Sequence, residues 1–187
     1  MIDRRSFLRG AGVAALALAT PVPALAHKGP IAHKYLPQNV RFRGRYRPGT
    51  IVVDPRNHFL YLVNGGGTAR RYGVGTGRAA LAWSGTATIQ RKAKWPSWTP
   101  TKNMIRREPE KYAQFASGVP GGPTNPLGAR ALYLYRNGRD TYYRIHGTNQ
   151  PWSIGQSVSS GCIRMLNDHV ADLYNRVPIG ARVVVLA

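Results

Sequence analysis

Asn137-Gly138 stands between two β-rich runs, Arg130 to Arg136 and Thr141 to His146, and no other feature of the chain restricts its backbone so tightly. An Asn-Gly pair accepts the positive φ values of a two-residue turn whose twist matches that of paired strands, so the flanking runs form a hairpin. Similar punctuation occurs earlier. Ile51-Val52-Val53 and His58 to Val63 flank the turn-forming cluster Asp54-Pro55-Arg56-Asn57, and Asn64-Gly65-Gly66-Gly67 reverses the chain again into Arg70 to Val74. An antiparallel meander accounts for this order. One stretch has convincing helical period: Val170, Leu173, Tyr174 and Val177 recur at i, i+3, i+4 and i+7, with Asn167 or Asp168 as N-cap and Pro178 as stop. Ala181 to Leu186 then reads as a last buried strand. A chain of 187 residues, 43% of them hydrophobic, has enough for one core, so the expectation is a single mostly β domain with one short helix near its end.

From Ala80 to Gly128 the strand signals thin, and Trp83, Trp95 and Trp98 appear among prolines. So aromatic a stretch predicts a long ordered excursion that packs on the sheet or lines a cleft.

Residues 1–26 read as an export signal. Arg4, Arg5 and Arg9 form a basic start, an apolar run follows from Ala11 to Ala19, and Ala24-Leu25-Ala26 offers a cleavage site. Asp3-Arg4-Arg5-Ser6-Phe7-Leu8-Arg9 resembles the twin-arginine signal, which implies a bacterial protein exported already folded, to the periplasm, and touching the membrane only during export. An uncleaved anchor is the competing reading, but the apolar run is shorter than the roughly 20 residues a spanning helix needs. Residues 27–49 form a basic lead-in with three prolines and no acid, expected to be poorly ordered, and the domain proper covers 50–187.

With 27 Lys and Arg against 7 Asp and Glu the chain carries a charge of +20, which draws it toward anionic polymers. Nucleic acid is not an expected partner: no zinc-finger spacing or RNP-like aromatic run is present.

Cys162 is the only cysteine, so it cannot form an intramolecular disulfide and is either an inert buried side chain or a reactive one. Sixteen residues before it, His146 closes a β run on whose one face Tyr142, Arg144 and His146 lie, with Tyr143 and Ile145 on the other. A loop of that length can fold back and bring imidazole to sulfur. The chemistry needs such a pair, because a thiol of pKa about 8.5 is mostly protonated at neutral pH until a base takes its proton. Gly161 allows a sharp turn that offers the backbone N–H groups of Gly161 and Cys162 to a developing oxyanion. Arg164 could fork onto a substrate carboxylate. Each has a plainer reading: Cys162 as a small core side chain, His146 as the cap of a hydrogen-bond network, Arg164 as a solvated or structural cation. Five histidines and one cysteine show no metal-ligand spacing, and no cofactor is expected.

Taken together, His146-Gly147-Thr148 and Ser159-Ser160-Gly161-Cys162-Ile163-Arg164 resemble the signature of the L,D-transpeptidase (YkuD) catalytic domain. Asn125-Pro126-Leu127-Gly128-Ala129-Arg130 and Trp95 to Pro100 add to the resemblance, which covers Pro48 to Leu186. It implies a β-sandwich with one short helix after the catalytic loop. It implies as well that Cys162 attacks the carbonyl between an L-centre and the following D-residue of a peptidoglycan stem peptide. The thioester would pass to an amine of another stem or of a wall-anchored lipoprotein. By the same resemblance His146 is base and then acid, the Gly147 carbonyl orients its ring, and Arg164 positions substrate or supports the loop. Ser160 replaces a histidine that many members carry, with a part in substrate contact. Water as acceptor would make the enzyme an L,D-carboxypeptidase or crosslink hydrolase, and an inert Cys162 would leave a non-catalytic wall-binding module.

Overall fold

A computed structural model of the chain describes residues 31–187. The export signal and the first residues of the lead-in lie outside the described residues.

The meander is present as β2 (Ile51–Asp54), β3 (Phe59–Gly65) and β4 (Thr68–Gly73), all antiparallel, with Val53 opposite Leu60 and Tyr61 opposite Arg71. In the first turn Asp54 Oδ1 accepts from the Asn57 N–H at 3.1 Å, an aspartate closing its own reversal. The lead-in departs from expectation. Gln38–Arg41 form β1, antiparallel to β4, and the Phe42 ring lies 5.1 Å from that of Tyr61. The reason is an alternation hidden among the charges: Val40, Phe42 and Tyr46 turn toward the sheet while Arg41, Arg43, Arg45 and Arg47 stay exposed.

The later strands are β5 (Thr76–Gly77), β6 (Gly85–Lys94), β7 (Arg130–Arg136), β8 (Arg139–His146), β9 (Ser157–Ser159), β10 (Ile163–Arg164) and β11 (Arg182–Val185). Nine strands form one mixed sheet in the order β1-β4-β3-β2-β11-β6-β7-β8-β10, and β5 pairs with β9 in a small second sheet. The hairpin at Asn137-Gly138 joins β7 to β8, with Asn137 at φ 51° and Gly138 at φ 73°. The last strand, β11, lies parallel to β2 and antiparallel to β6, at the centre of the sheet, where Val183 and Val185 are buried.

Ile51, Leu60, Tyr72, Ile89, Leu132, Leu134 and Ile145 pack in one cluster with Val170 and Leu173 of the late helix, Asn167–Arg176, and with Val177 at its C-cap. Burying each such side chain contributes about 1.5–3 kcal/mol, so this face fixes how the helix lies. The helix C-terminus has a cap that sequence did not suggest: Lys92 Nζ donates to the Tyr174 and Val177 carbonyl oxygens, both at 2.7 Å. A cation there satisfies orphan carbonyls and complements the helix dipole.

The tryptophan-rich excursion expected over Ala80 to Gly128 is shorter than that, because Gly85–Lys94 forms β6 between β11 and β7 in the sheet. The remainder is ordered, as expected, and it holds helices that its sequence had not signalled. These are α1 (Lys102–Arg107) and α2 (Pro109–Tyr112), so the late helix is α3. Thr101 caps α1 by accepting from the Met104 N–H. Too short to show a helical period, both were invisible to a pattern search. Trp98 and Val119 exchange backbone hydrogen bonds of 2.9 and 2.7 Å across the neck of the excursion, and the Trp98 ring packs on Tyr112 and Phe115. Among the described residues no helix is long and apolar enough to cross a membrane.

Candidate active site

The hairpin strand β8 ends on His146, and β10 runs parallel beside it with Arg164 opposite His146 and Ile163 opposite Ile145. Continuing that register back by one residue sets Cys162 next to Arg144. His146, Ser160, Cys162 and Arg164 all line one cleft of about 1540 Å³, floored by the sheet and walled by the excursion. Gly147 and Gly161 adjoin His146 and Cys162 in the chain and do not themselves line the cleft.

His146 is buried, and its Nδ1 lies 2.6 Å from the Gly147 carbonyl oxygen. Since a carbonyl only accepts, Nδ1 must carry the proton, and the neutral ring keeps its lone pair on Nε2. Burial, joined by the positive charges of Arg164 and Arg144, lowers the His146 pKa to about 3 against the pull of backbone bonds to Gly147 and Leu127. The half-buried Cys162 thiol makes a long contact of 3.8 Å to the Tyr142 carbonyl oxygen. Among the described residues no hydrogen bond joins it to His146. Burial raises its pKa, opposed by a bond from the Arg144 backbone and the charges of Arg144 and Arg164. The resting pair is therefore thiol and neutral imidazole.

The turn before the cysteine is tied down by Ser159, whose Oγ donates to the Cys162 carbonyl at 2.6 Å and accepts from the Gly161 N–H at 3.1 Å. This changes one expectation: the Gly161 N–H is already engaged. The Cys162 N–H has no acceptor among the described residues, which leaves it open to a developing oxyanion. Ser160 Oγ lies 3.3 Å from the Tyr112 hydroxyl of α2 and so bridges to the excursion. Arg164 is held on both sides, its backbone exchanging hydrogen bonds with Gly75 and its guanidinium donating to Gln150 Oε1 at 2.9 Å.

The predicted alternation along β8 holds for Arg144 and His146 on the cleft side and Ile145 in the core. Tyr142 reaches the same cleft, as that alternation expects, but its backbone is not regular strand. A bulge between the Tyr133 and Tyr135 pairings puts Tyr142 at φ 61° and leaves it 71% exposed at the cleft.

A family profile described as the L,D-transpeptidase catalytic domain (YkuD) matches residues 48–185. The chain belongs to the L,D-transpeptidase catalytic domain family. A profile of the twin-arginine translocation signal matches residues 1–21 and marks this L,D-transpeptidase family member for export out of the cytoplasm. The chain is similar to "Probable L,D-transpeptidase ErfK/SrfK" of Escherichia coli, 34% identical over 155 residues, 81% of this chain and 48% of that protein. It thus spans about half the length of such curated relatives. Among solved structures it is similar to a Brucella melitensis protein named as a probable carnitine operon oxidoreductase, with 56% identity, TM-score 0.57, and coverage of 83% of this chain and 96% of that one. That name is the Brucella protein's own. An L,D-transpeptidase from Mycobacterium smegmatis shares the fold at TM-score 0.51 and 21% identity, covering 74% of this chain and 58% of that one.

In this family member the residue most clearly missed from sequence is Asn167. Expected as a helix cap, it begins α3 with its side chain turned away from the helix, where Leu166 occupies the N-cap position without a side-chain bond. Its Oδ1 accepts from the Ala129 N–H at 2.9 Å and the Thr148 N–H at 3.2 Å. It thereby clamps the loop that carries the Gly147 carbonyl. A Cβ on Gly147 would collide with that same oxygen, which gives the glycine a reason beyond its carbonyl. Asn167→Ala strands both N–H groups and is expected to lower stability by about 1–3 kcal/mol, read from the shift of a urea melting curve.

Proposed function

We propose that the protein is a peptidoglycan L,D-transpeptidase that works outside the cytoplasm, in the periplasm, through an acyl-enzyme on Cys162. The observation that carries this reading is the 2.6 Å Nδ1 contact of His146 with the Gly147 carbonyl, which leaves Nε2 as the proton-accepting nitrogen of a residue lining the cleft that also holds the chain's only thiol. In the first half-reaction Nε2 takes the thiol proton as sulfur attacks the stem-peptide carbonyl. The C–S bond forms, the oxyanion draws on the Cys162 N–H, and the imidazolium returns the proton to the departing D-amino acid. In the second half the same nitrogen deprotonates the incoming amine, and the thioester collapses with sulfur as leaving group. The Arg164 charge favours thiolate character at the moment of transfer, and its bonds to Gly75 and Gln150 support the loop.

The acceptor is an amine of a second stem peptide or of a wall-anchored lipoprotein. A volume of about 1540 Å³ supports this, because it exceeds the roughly 300–1,000 Å³ of a site for one small ligand and accommodates two chains. The +20 charge favours encounter with the anionic wall.

The test is an intact-mass spectrum of the purified protein after exposure to a tetrapeptide donor, followed by mapping of the adduct. A thioester on the Cys162 peptide with loss of the terminal D-amino acid is the expected result. No adduct, or one elsewhere, overturns the reading. Muropeptide analysis with wall fragments as acceptor then shows transfer to an amine, and products of hydrolysis alone would assign the reaction to a carboxypeptidase.

A further inference from the structure

The cationic row across the cleft floor has no part in the chemistry above. Arg91 on β6, Tyr133 on β7 and Arg144 on β8 are register partners in adjacent strands. Both guanidinium carbons lie 4.4 Å from the Tyr133 ring centroid, so the two arginines share one aromatic support. Their electrostatic situations differ. Arg144 is held by Asp140 through bonds of 2.6 and 2.8 Å, whereas Arg91 is exposed to the cleft and has no carboxylate partner among the described residues. None of the side chains lining this cleft is acidic, and Lys102, Arg107 and Lys111 face it from the excursion.

A guanidinium laid on a ring loses little further freedom on binding, and its N–H edge stays open to a planar carboxylate. We propose that Arg91, seated on Tyr133, is a specificity-determining residue that selects donor peptides bearing a free side-chain carboxylate on the acyl half, over the corresponding carboxamides. The distance is suitable. Three strand spacings of about 4.8 Å separate the Arg91 and Cys162 backbones. The arginine leans back one strand, leaving on the order of 10 Å, or two to three residues of extended peptide. A carboxylate held there registers the donor so that its scissile carbonyl reaches sulfur.

This inference rests on the transpeptidase reading, and one experiment separates their failures. Acylation kcat/KM is measured by intact mass for pairs of tetrapeptide donors that differ only in carboxylate against carboxamide at each of the two residues before the scissile bond. The wild-type protein is expected to prefer one carboxylate donor by about tenfold or more, the worth of a charge-assisted hydrogen-bond pair. In Arg91→Gln that ratio falls to near 1, and in Arg91→Lys, which keeps the charge but not the fork, it falls part-way. Because a loss of general activity would slow both donors alike, the ratio reports recognition and not folding. A wild-type ratio near 1, or one unchanged in Arg91→Gln, overturns the inference while leaving the acyl-enzyme intact. Absence of any wild-type adduct overturns both.

Discussion

Changing Cys162 to alanine leaves a folded protein on which no tetrapeptide or carbapenem-like β-lactam forms an adduct, and His146→Gln slows adduct formation by about 10²–10⁴ with the thiol still present. The fold survives the first change because Cys162 is half-buried and its side chain makes only weak contacts, with the Tyr142 carbonyl at 3.8 Å and the Arg144 backbone. The second change removes Nε2 as a base. Intact mass against time reads both, and an adduct on the Cys162→Ala protein would remove the basis of the assignment.

The same pair sets an expected pH profile. With the imidazole neutral down to about pH 3 and the thiol pushed above its usual range, acylation starts from two neutral groups across the physiological span. Its kcat/KM should be level from about pH 5 to 8, and an acid limb centred near the ordinary histidine value of about 6.5 would contradict this. Stability should respond where rate does not. The unfolded imidazole binds a proton below its ordinary pKa of 6.5, while the folded one stays unprotonated until about pH 3. Across that window the unfolded state holds more protons, so stability falls as pH falls, by about 1 kcal/mol per pH unit, and the contribution is complete above it. His58 and His169 are lowered by burial as well, so the slope attributable to His146 is the difference between the wild-type and His146→Gln urea curves.

Sequence legibility followed the range of each interaction. The β2–β3 and β7–β8 hairpins and α3 were readable because turn residues and periodicity act over a few positions: Val170 and Leu173 of α3 and Val177 just past its end are buried on the spacing that predicts them. Strand β1 was obscured because its alternating apolar residues lie among arginines, and charge suggested disorder where pairing with β4 supplied order. At the candidate site, motif spacing singled out His146 and Cys162, and the fold brings both to one cleft. Asn167, Tyr112, Gln150 and Ser159 could not be assigned their partners, since bonds such as Asn167 to Ala129 span 38 residues and depend on the fold being made. The engagement of the Gly161 N–H by Ser159 Oγ shows the same limit: the glycine was legible, but which donor it leaves open was not.

Gly161→Ala should reduce acylation by at least about 100-fold without touching either reacting side chain. Gly161 sits at φ 121°, where an L-residue is strained by about 1–3 kcal/mol. A Cβ there would lie 2.5 Å from Tyr143 Cε1 and 2.8 Å from the Leu81 carbonyl oxygen. Neither can yield easily, because Leu81 presents backbone and the Tyr143 ring is stacked on Trp83 at 5.5 Å with 23° between planes. The turn must therefore shift and carry Cys162 with it, and misplacement by about 1 Å is enough for a 100-fold loss. Gly66→Ala provides the comparison, with φ 56° and open space around its Cβ position, so it bears backbone strain alone and acylates at the wild-type rate. Trp83→Ala combined with Gly161→Ala lets Tyr143 swing away and should recover part of the rate, a coupling that a double-mutant cycle measures. If Gly161→Ala acylates as fast as Gly66→Ala, the Tyr143 and Leu81 wall does not position the nucleophile.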